Sequence, residues 1–290
     1  MARIIAQAFL TELRVDTVDC DKETMMKRFI LPLLFVVIAQ SAFAGLTYKV
    51  ESVSSGVREG TISGSVEVEG KSSRFNIEHG DGMVLPDASF IISSDGGKTL
   101  SVVTPASKTY FEFALDQATG IGSAMGGMLK IQVANPQMSV KDLGAGDKIE
   151  GYATQKKSID VSYDMNIDMG GQPMTMKMST STQAWVTDQI PMESASFLQT
   201  GELHTGFDEV DKLIAAQAKA VTGFPLKQIT TILMTQGESK MQVKTTTTVS
   251  GLQKKPIAAS EFVIPAGFTK TDSPMEKMMK SMAGGGAPQH

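Results

Sequence analysis

The chain has 290 residues, 41% of them hydrophobic, and a formal net charge of −4 from 27 Lys+Arg against 31 Asp+Glu. No basic stripe stands out, which excludes a surface built for nucleic acid. The single cysteine, Cys20, excludes a disulfide framework, so the fold must rest on its core.

Residues 25–44, MMKRFILPLLFVVIAQSAFA, read as a secretory signal peptide. Lys27 and Arg28 form the basic end, 29–39 the apolar run, and Ala42-Phe43-Ala44 the small-x-small cleavage motif. Cleavage is expected between Ala44 and Gly45, delivering the chain to the periplasm or the exterior. Residues 1–24 carry five acidic side chains that cancel their basic ones, and are read as an over-extended start. The apolar run falls short of the ~20 residues that span a bilayer. No later run approaches that length, so no transmembrane segment is expected in the mature chain. Removing residues 1–44 takes away five basic and five acidic groups and leaves the charge at 22 − 26 = −4. It also removes Cys20.

From residue 45 onward most of the sequence alternates as antiparallel strands do. TISGSVEVEG and SSRFNIE flank Glu69-Gly70-Lys71. SFIISS and KTLSVVTP flank Asp95-Gly96-Gly97, a hairpin signal, and KTYFEFAL extends them into a three-stranded meander. Residues 116–146, rich in Gly, Met and Ala, are expected to be a loop with a short helix. Strand character returns at DKIEGYATQ.

The clearest hairpin is SIDVSYDMNIDM, GGQP, MTMKMSTSTQAWVT. Alternation puts Ile159, Val161, Tyr163, Met165, Ile167 and Met169 on one face, and Asp160, Ser162, Asp164, Asn166 and Asp168 on the other. Met174, Met176, Met178, Ala184 and Val186 continue the apolar face on the return arm. A four-residue loop would pair Met169 with Met174, Ile167 with Met176, and Met165 with Met178. Residues 207–222 predict the best helix of the chain. A last hairpin, PLKQITTILMTQ and SKMQVKTTTTVSGL, turns at Gly237-Glu238, and EFVIPAGF closes the domain. In the tail, Ser273 and Glu276 form a capping box, with Pro274 at the first helical position and Met275, Met278, Met279 and Met282 on one helical face. The domain plan is therefore one body over 45–270, followed at 271–290 by a short Met-rich helix and a flexible glycine-rich end. Long one-faced strands with few helices predict an α+β, mainly β fold, a curved antiparallel sheet with helices on one side.

Several segments together resemble a known family: SGSVEVEGKSSRFNIE, SFIISSDGGKTLSVVTPASKTYFEF, GYATQKKSIDVSYDMNIDM, AWVTDQIP and SEFVIPAGF. In that order they resemble a family of exported bacterial domains of unknown function, itself similar to the periplasmic lipoprotein-carrier superfamily. The similarity spans nearly all of 45–270, and its most specific piece is the DGGKT and P-x-x-K-x-Y run within 89–110. The resemblance implies a half-open β-barrel whose concave apolar face is covered by helices. It implies no catalytic residues and no cofactor. The carriers it points to bind acyl chains.

Catalytic patterns are missing from the sequence. His79, His204 and His290 form no H-E-x-x-H, and no G-x-S-x-G elbow occurs. The run from Gly120 to Gly126 has the wrong spacing for a dinucleotide loop. Asp164-x-Asn166-x-Asp168 opens like an EF-hand but lacks the closing glutamate. A non-enzymatic protein is expected.

Sixteen of the 19 methionines lie beyond residue 44, five of them between 165 and 178. Three readings are open, in this order: adaptable core filler, the lining of a lipid site, and a soft-metal site. The ligand-lining set is Ile159, Val161, Tyr163, Met165, Ile167, Met169, Met174, Met176 and Met178. The metal alternative is Met165, Met174, Met176 and Met178, with Cu(I) as the ion. Trp185, on the opposite face of the return arm, is expected to be structural. The leading functional expectation is binding of a lipid or acylated molecule. Cu(I) binding and assembly through a protein partner are the alternatives.

Overall fold

The computed structural model describes residues 45–82, 85–114, 130–168, 171, 173–198, 208–274, 276–277 and 280. They are dominated by one twelve-stranded sheet. Its strands are β1 (Gly45–Gly56), β2 (Gly60–Glu69), β3 (Ser72–His79), β4 (Phe90–Ser93), β5 (Thr99–Thr104), β6 (Thr109–Ala114), β7 (Lys130–Ala145), β8 (Gln155–Asp168), β9 (Pro173–Thr187), β10 (Phe224–Gln236), β11 (Ser239–Lys255) and β12 (Thr269–Lys270). The spatial order is β12-β6-β5-β4-β3-β2-β1-β11-β10-β9-β8-β7. Two antiparallel meanders, β1–β6 and β7–β11, are thus joined where β1 pairs with β11. Only the short β12 runs parallel to its neighbour, β6. The curved sheet is open: β7 ends one side and β12 the other.

The alternation of small and apolar residues explains where the core forms. Leu46, Tyr48 and Val50 on β1 share a face with Val66 and Val68, Phe75 and Ile77, Ile91, and Val102. Phe224, Leu226 and Val249 join the same core from the second meander. The segment after β9 folds back onto it: Ile190 and Ala195 are buried there, and a short 3-10 turn, Met192–Leu198, packs against β3 and β10. A smaller core lies on the opposite face, where Phe90, Ile92 and Val103 are sealed by Phe262. Ile257, Ile264 and Phe268 pack around it, so EFVIPAGF wraps the sheet rather than merely ending the domain. Arg74 ties this wrap down, its guanidinium 3.8 Å from the Phe90 ring centroid and its Nη1 donating to the Glu261 carbonyl at 2.9 Å.

The longest α-helix among the described residues, α1 (Asp208–Ala220), lies inside the stretch where the sequence predicts one. It packs against β7 and β8 and buries none of its residues fully. Pro274, Glu276, Lys277 and Lys280 are also helical. The expected capping box is present there: the Ser273 N–H donates to Glu276 Oε2 at 2.7 Å and the Glu276 N–H to Ser273 Oγ at 3.1 Å. Met275, Met278, Met279 and Met282 lie outside the described residues, as does the signal segment.

Two expectations are overturned. Residues 130–145, expected as loop and helix, are the long edge strand β7. Its pairing with β8 is interrupted between Ala134 and Gln137 and again between Asp142 and Ala145, with Asn135 at φ 53° and Gly144 at φ 80°. Each bulge inserts unpaired residues and breaks the two-residue period that would have revealed the strand. The stretch DKIEGYAT is not a strand but a tight reversal, bridged between Ile149 and Tyr152, with Glu150 and Gly151 at positive φ.

Candidate ligand-binding face

The second meander carries the site residues, and its register decides which of them meet. Asp168 lies opposite Pro173, Ile167 opposite Met174, Met165 opposite Met176, and Tyr163 opposite Met178. The expected pairing is therefore off by two residues. Asp168 closes the hairpin loop by accepting the Gly171 N–H at 2.7 Å. A slip of two keeps every side chain on its face, since the strand period is two. Met169 itself lies outside the described residues.

The neighbouring hairpin extends this face. Met178 on β9 lies opposite Met234 on β10, and Met234 opposite Met241 on β11. A row Tyr163, Met178, Met234, Met241 thus crosses four adjacent strands, with Met165 and Met176 in the next row and Ile167 and Met174 beyond. All eight side chains are half-buried, and none belongs to either core. Core filler therefore does not describe these methionines among the described residues. Ile159 and Val161, by contrast, are fully buried at the foot of the hairpin, with Ala184 and Val186.

Between the methionine rows and the larger core lies a belt of hydroxyls. Ser52 and Thr247 are hydrogen-bonded at 2.7 Å, Ser54 and Thr245 at 2.9 Å, and Thr182 and Thr230 at 3.2 Å. Paired this way, the belt satisfies itself across the strands and places little demand on a ligand. On the other side of β8 and β9, by strand alternation, a shallow depression of about 320 Å³ is lined by Asn135, Gln137, Ser162, Asp164, Lys177 and Ser179. Burial pushes the Tyr163 phenol up, keeping it neutral. A larger depression, about 870 Å³, lies at the other side of the sheet between β6 and the capped helix. Of the charges that line it, Lys270 pairs with Glu112, and Asp272 with Lys280, and its walls are mostly polar or charged.

The opposite face of the hairpin is partly covered near its base. Trp185 is buried, with the Lys156 and Lys227 ammonium groups 4.5 and 5.0 Å from its ring centroid. Gly146 lies against its edge. Asp160 accepts from Ser181 Oγ at 2.6 Å, and Asp164 from Asn135 Nδ2 at 2.8 Å, so these acids serve the strands. Among the described residues no group of three or more His, Cys, Asp or Glu is placed to hold a metal ion. His79 is exposed at the end of β3, and His204 and His290 lie outside the described residues.

Residues 58–268 match the family described as "Domain of unknown function (DUF4412)". The chain belongs to this family. The DUF4412 match takes in both meanders and the wrapping segment but not β1, the strand that joins the two halves. No curated protein matches the sequence. Among solved structures, the chain is similar to a LolA superfamily protein from Nitrosomonas europaea, at 11% identity and a TM-score of 0.29, over 76% of this chain and 90% of that one.

Met234 and Met241 were missed in the sequence because nothing local says that β9 and β10 are neighbours. The signal available was their position in the last hairpin, where each falls at an alternate, inward site.

Proposed function

We propose that this chain is an exported, non-enzymatic binding protein that takes a hydrophobic ligand, a lipid or an acylated molecule, on the methionine face of its second meander. The observation that carries this reading is the row Tyr163, Met178, Met234, Met241: apolar, half-buried, and outside both cores. Unbranched thioether side chains repack at little cost, so such a face accepts chains of varied shape. Leaving it open to water is unfavourable by about 25 cal/mol per Å² of apolar surface, which an acyl chain would recover on binding. The sequence resemblance to lipoprotein carriers supports the same class of ligand. In this reading the sheet is a half-open barrel, α1 and the turn after β9 are its partial cover, and the signal at 25–44 delivers it to the periplasm.

Native mass spectrometry of the protein, isolated from a periplasmic extract without detergent, tests the proposal. A mass excess that dissociates into lipid supports it. A bare mass, together with no displacement of a fluorescent fatty acid, overturns it.

A further inference from the structure

The same face carries a chemistry that acyl-chain binding does not use. We infer that Met178, Met234 and Met241 form a binding site for a soft monovalent cation, Cu(I) or its analogue Ag(I). The three lie in one register row on three adjacent strands, Met234 in the middle. Directly opposed residues in antiparallel strands have Cβ atoms about 4.5–5.5 Å apart. Three rotatable bonds per methionine then let the outer two sulfurs lean over the central one without any movement of the backbone.

The surroundings select the ion. Thioether sulfur is a soft ligand that favours Cu(I) over hard divalent ions. From the row of Val161 and Thr180 to the hairpin tips, the described residues of β8 to β11 on this face include no Asp, Glu, Lys or Arg. They are Val161, Tyr163, Met165 and Ile167 on β8, and Met174, Met176, Met178 and Thr180 on β9. Ile232, Met234 and Gln236 follow on β10, with Ser239, Met241 and Val243 on β11. No carboxylate is present there to attract Ca²⁺ or Mg²⁺, and no ammonium to repel a cation. Asp160, Asp164 and Asp168 project from the other side of β8, by strand alternation.

The set differs from the one the hairpin alone proposed. Met174 is already engaged, its Sδ accepting from Gln236 Nε2 at 2.7 Å. Met165 and Met176 face each other in the next row and stand as a neighbouring pair, not as part of the trio. A three-sulfur site needs the second hairpin.

The test titrates the purified full chain with Ag(I) in air, and with Cu(I) under argon and ascorbate against a chromophoric Cu(I) chelator. The inference expects one equivalent of Cu(I) to be withdrawn from the chelator. On Ag(I) addition, the methyl resonances of Met178, Met234 and Met241 shift while that of Met192, packed against the larger core, stays in place. The triple variant Met178→Leu, Met234→Leu, Met241→Leu loses the bound equivalent. Fatty-acid displacement and Cu(I) withdrawal are read separately on the native chain, so failure of the metal site is separable from failure of the ligand reading. Overturning results are a native chain that withdraws no Cu(I), or a triple variant with unchanged affinity. Should the triple variant fail to fold, methyl shifts in the native chain decide alone: Ag(I)-induced shifts absent at these three positions overturn the site.

Discussion

The Tyr48 hydroxyl, near the middle of the sheet, donates to the backbone carbonyl of Ser194 at 2.8 Å and so pins the segment after β9 onto the larger core. The Tyr48 ring meets Phe224 edge-on, with centroids 5.4 Å apart. One side chain thus links β1, β10 and the returning turn, joining the two meanders at their seam.

Tyr48→Phe keeps the ring but orphans the Ser194 carbonyl, and should cost about 1 kcal/mol. Burial also pushes the Tyr48 phenol well above its ordinary value. Its folded pKa exceeds its unfolded one, so its contribution is complete below the unfolded value near ~10 and is lost as pH rises beyond it. Urea unfolding should therefore show a steeper alkaline loss of stability in the native chain than in Tyr48→Phe. Equal slopes would contradict this role.

Asp95 organises the β4–β5 hairpin. Burial pushes its carboxyl up, but bonds from the Thr99 N–H, Ser93 Oγ and the backbone of Lys98 outweigh burial and hold it below its usual range. The charged form therefore favours folding: its contribution is present above the unfolded value near ~4 and is lost as pH falls through the folded one. Asp95→Asn should cost about 1 kcal/mol near neutral pH. It should also flatten the acid side of the stability profile. A profile as steep as the native one would assign the acid response elsewhere.

Gly146 packs against Trp185, the chain's single tryptophan. A Cβ there would lie 2.8 Å from Trp185 Cδ1 and 2.6 Å from Thr154 Oγ1. Gly146→Ala should displace the ring or the turn and cost about 1–3 kcal/mol through overpacking. Fluorescence reads it directly: the emission should move to the red as the indole gains water. An unchanged spectrum and melting temperature would show that the turn yields freely.

Met176→Lys places an ammonium on the methionine face, at a half-buried site outside both cores. Stability should change by no more than about 0.5 kcal/mol, as for surface substitutions generally. Co-purifying lipid should fall sharply. Undiminished lipid, with the fold intact, would move the ligand away from this face.

The mainly antiparallel character, the three-stranded meander, both long hairpins, α1 and the Ser273–Glu276 cap could all be read from residue order. Each rests on local chemistry: a period of two, Asp-Gly and Gly-Glu turns, a reciprocal cap. The register of β8 and β9 was legible only to within two residues, because alternation specifies the face but not which neighbours meet, and the loop geometry at Asp168 and Gly171 chose between them. β7 stayed hidden because Pro136 and Gly144 fall at or within its bulges and argue locally for a loop. The sequence by itself determined which residues are apolar and on which side of each strand they stand. Only the tertiary structure decided that β10 lies beside β9, aligning Met178, Met234 and Met241, and that the segment after β9 fills the sheet at Tyr48 but leaves the methionine rows outside the core. Those are pairings between strands far apart in sequence, set by long-range hydrogen bonding and packing that no local pattern encodes.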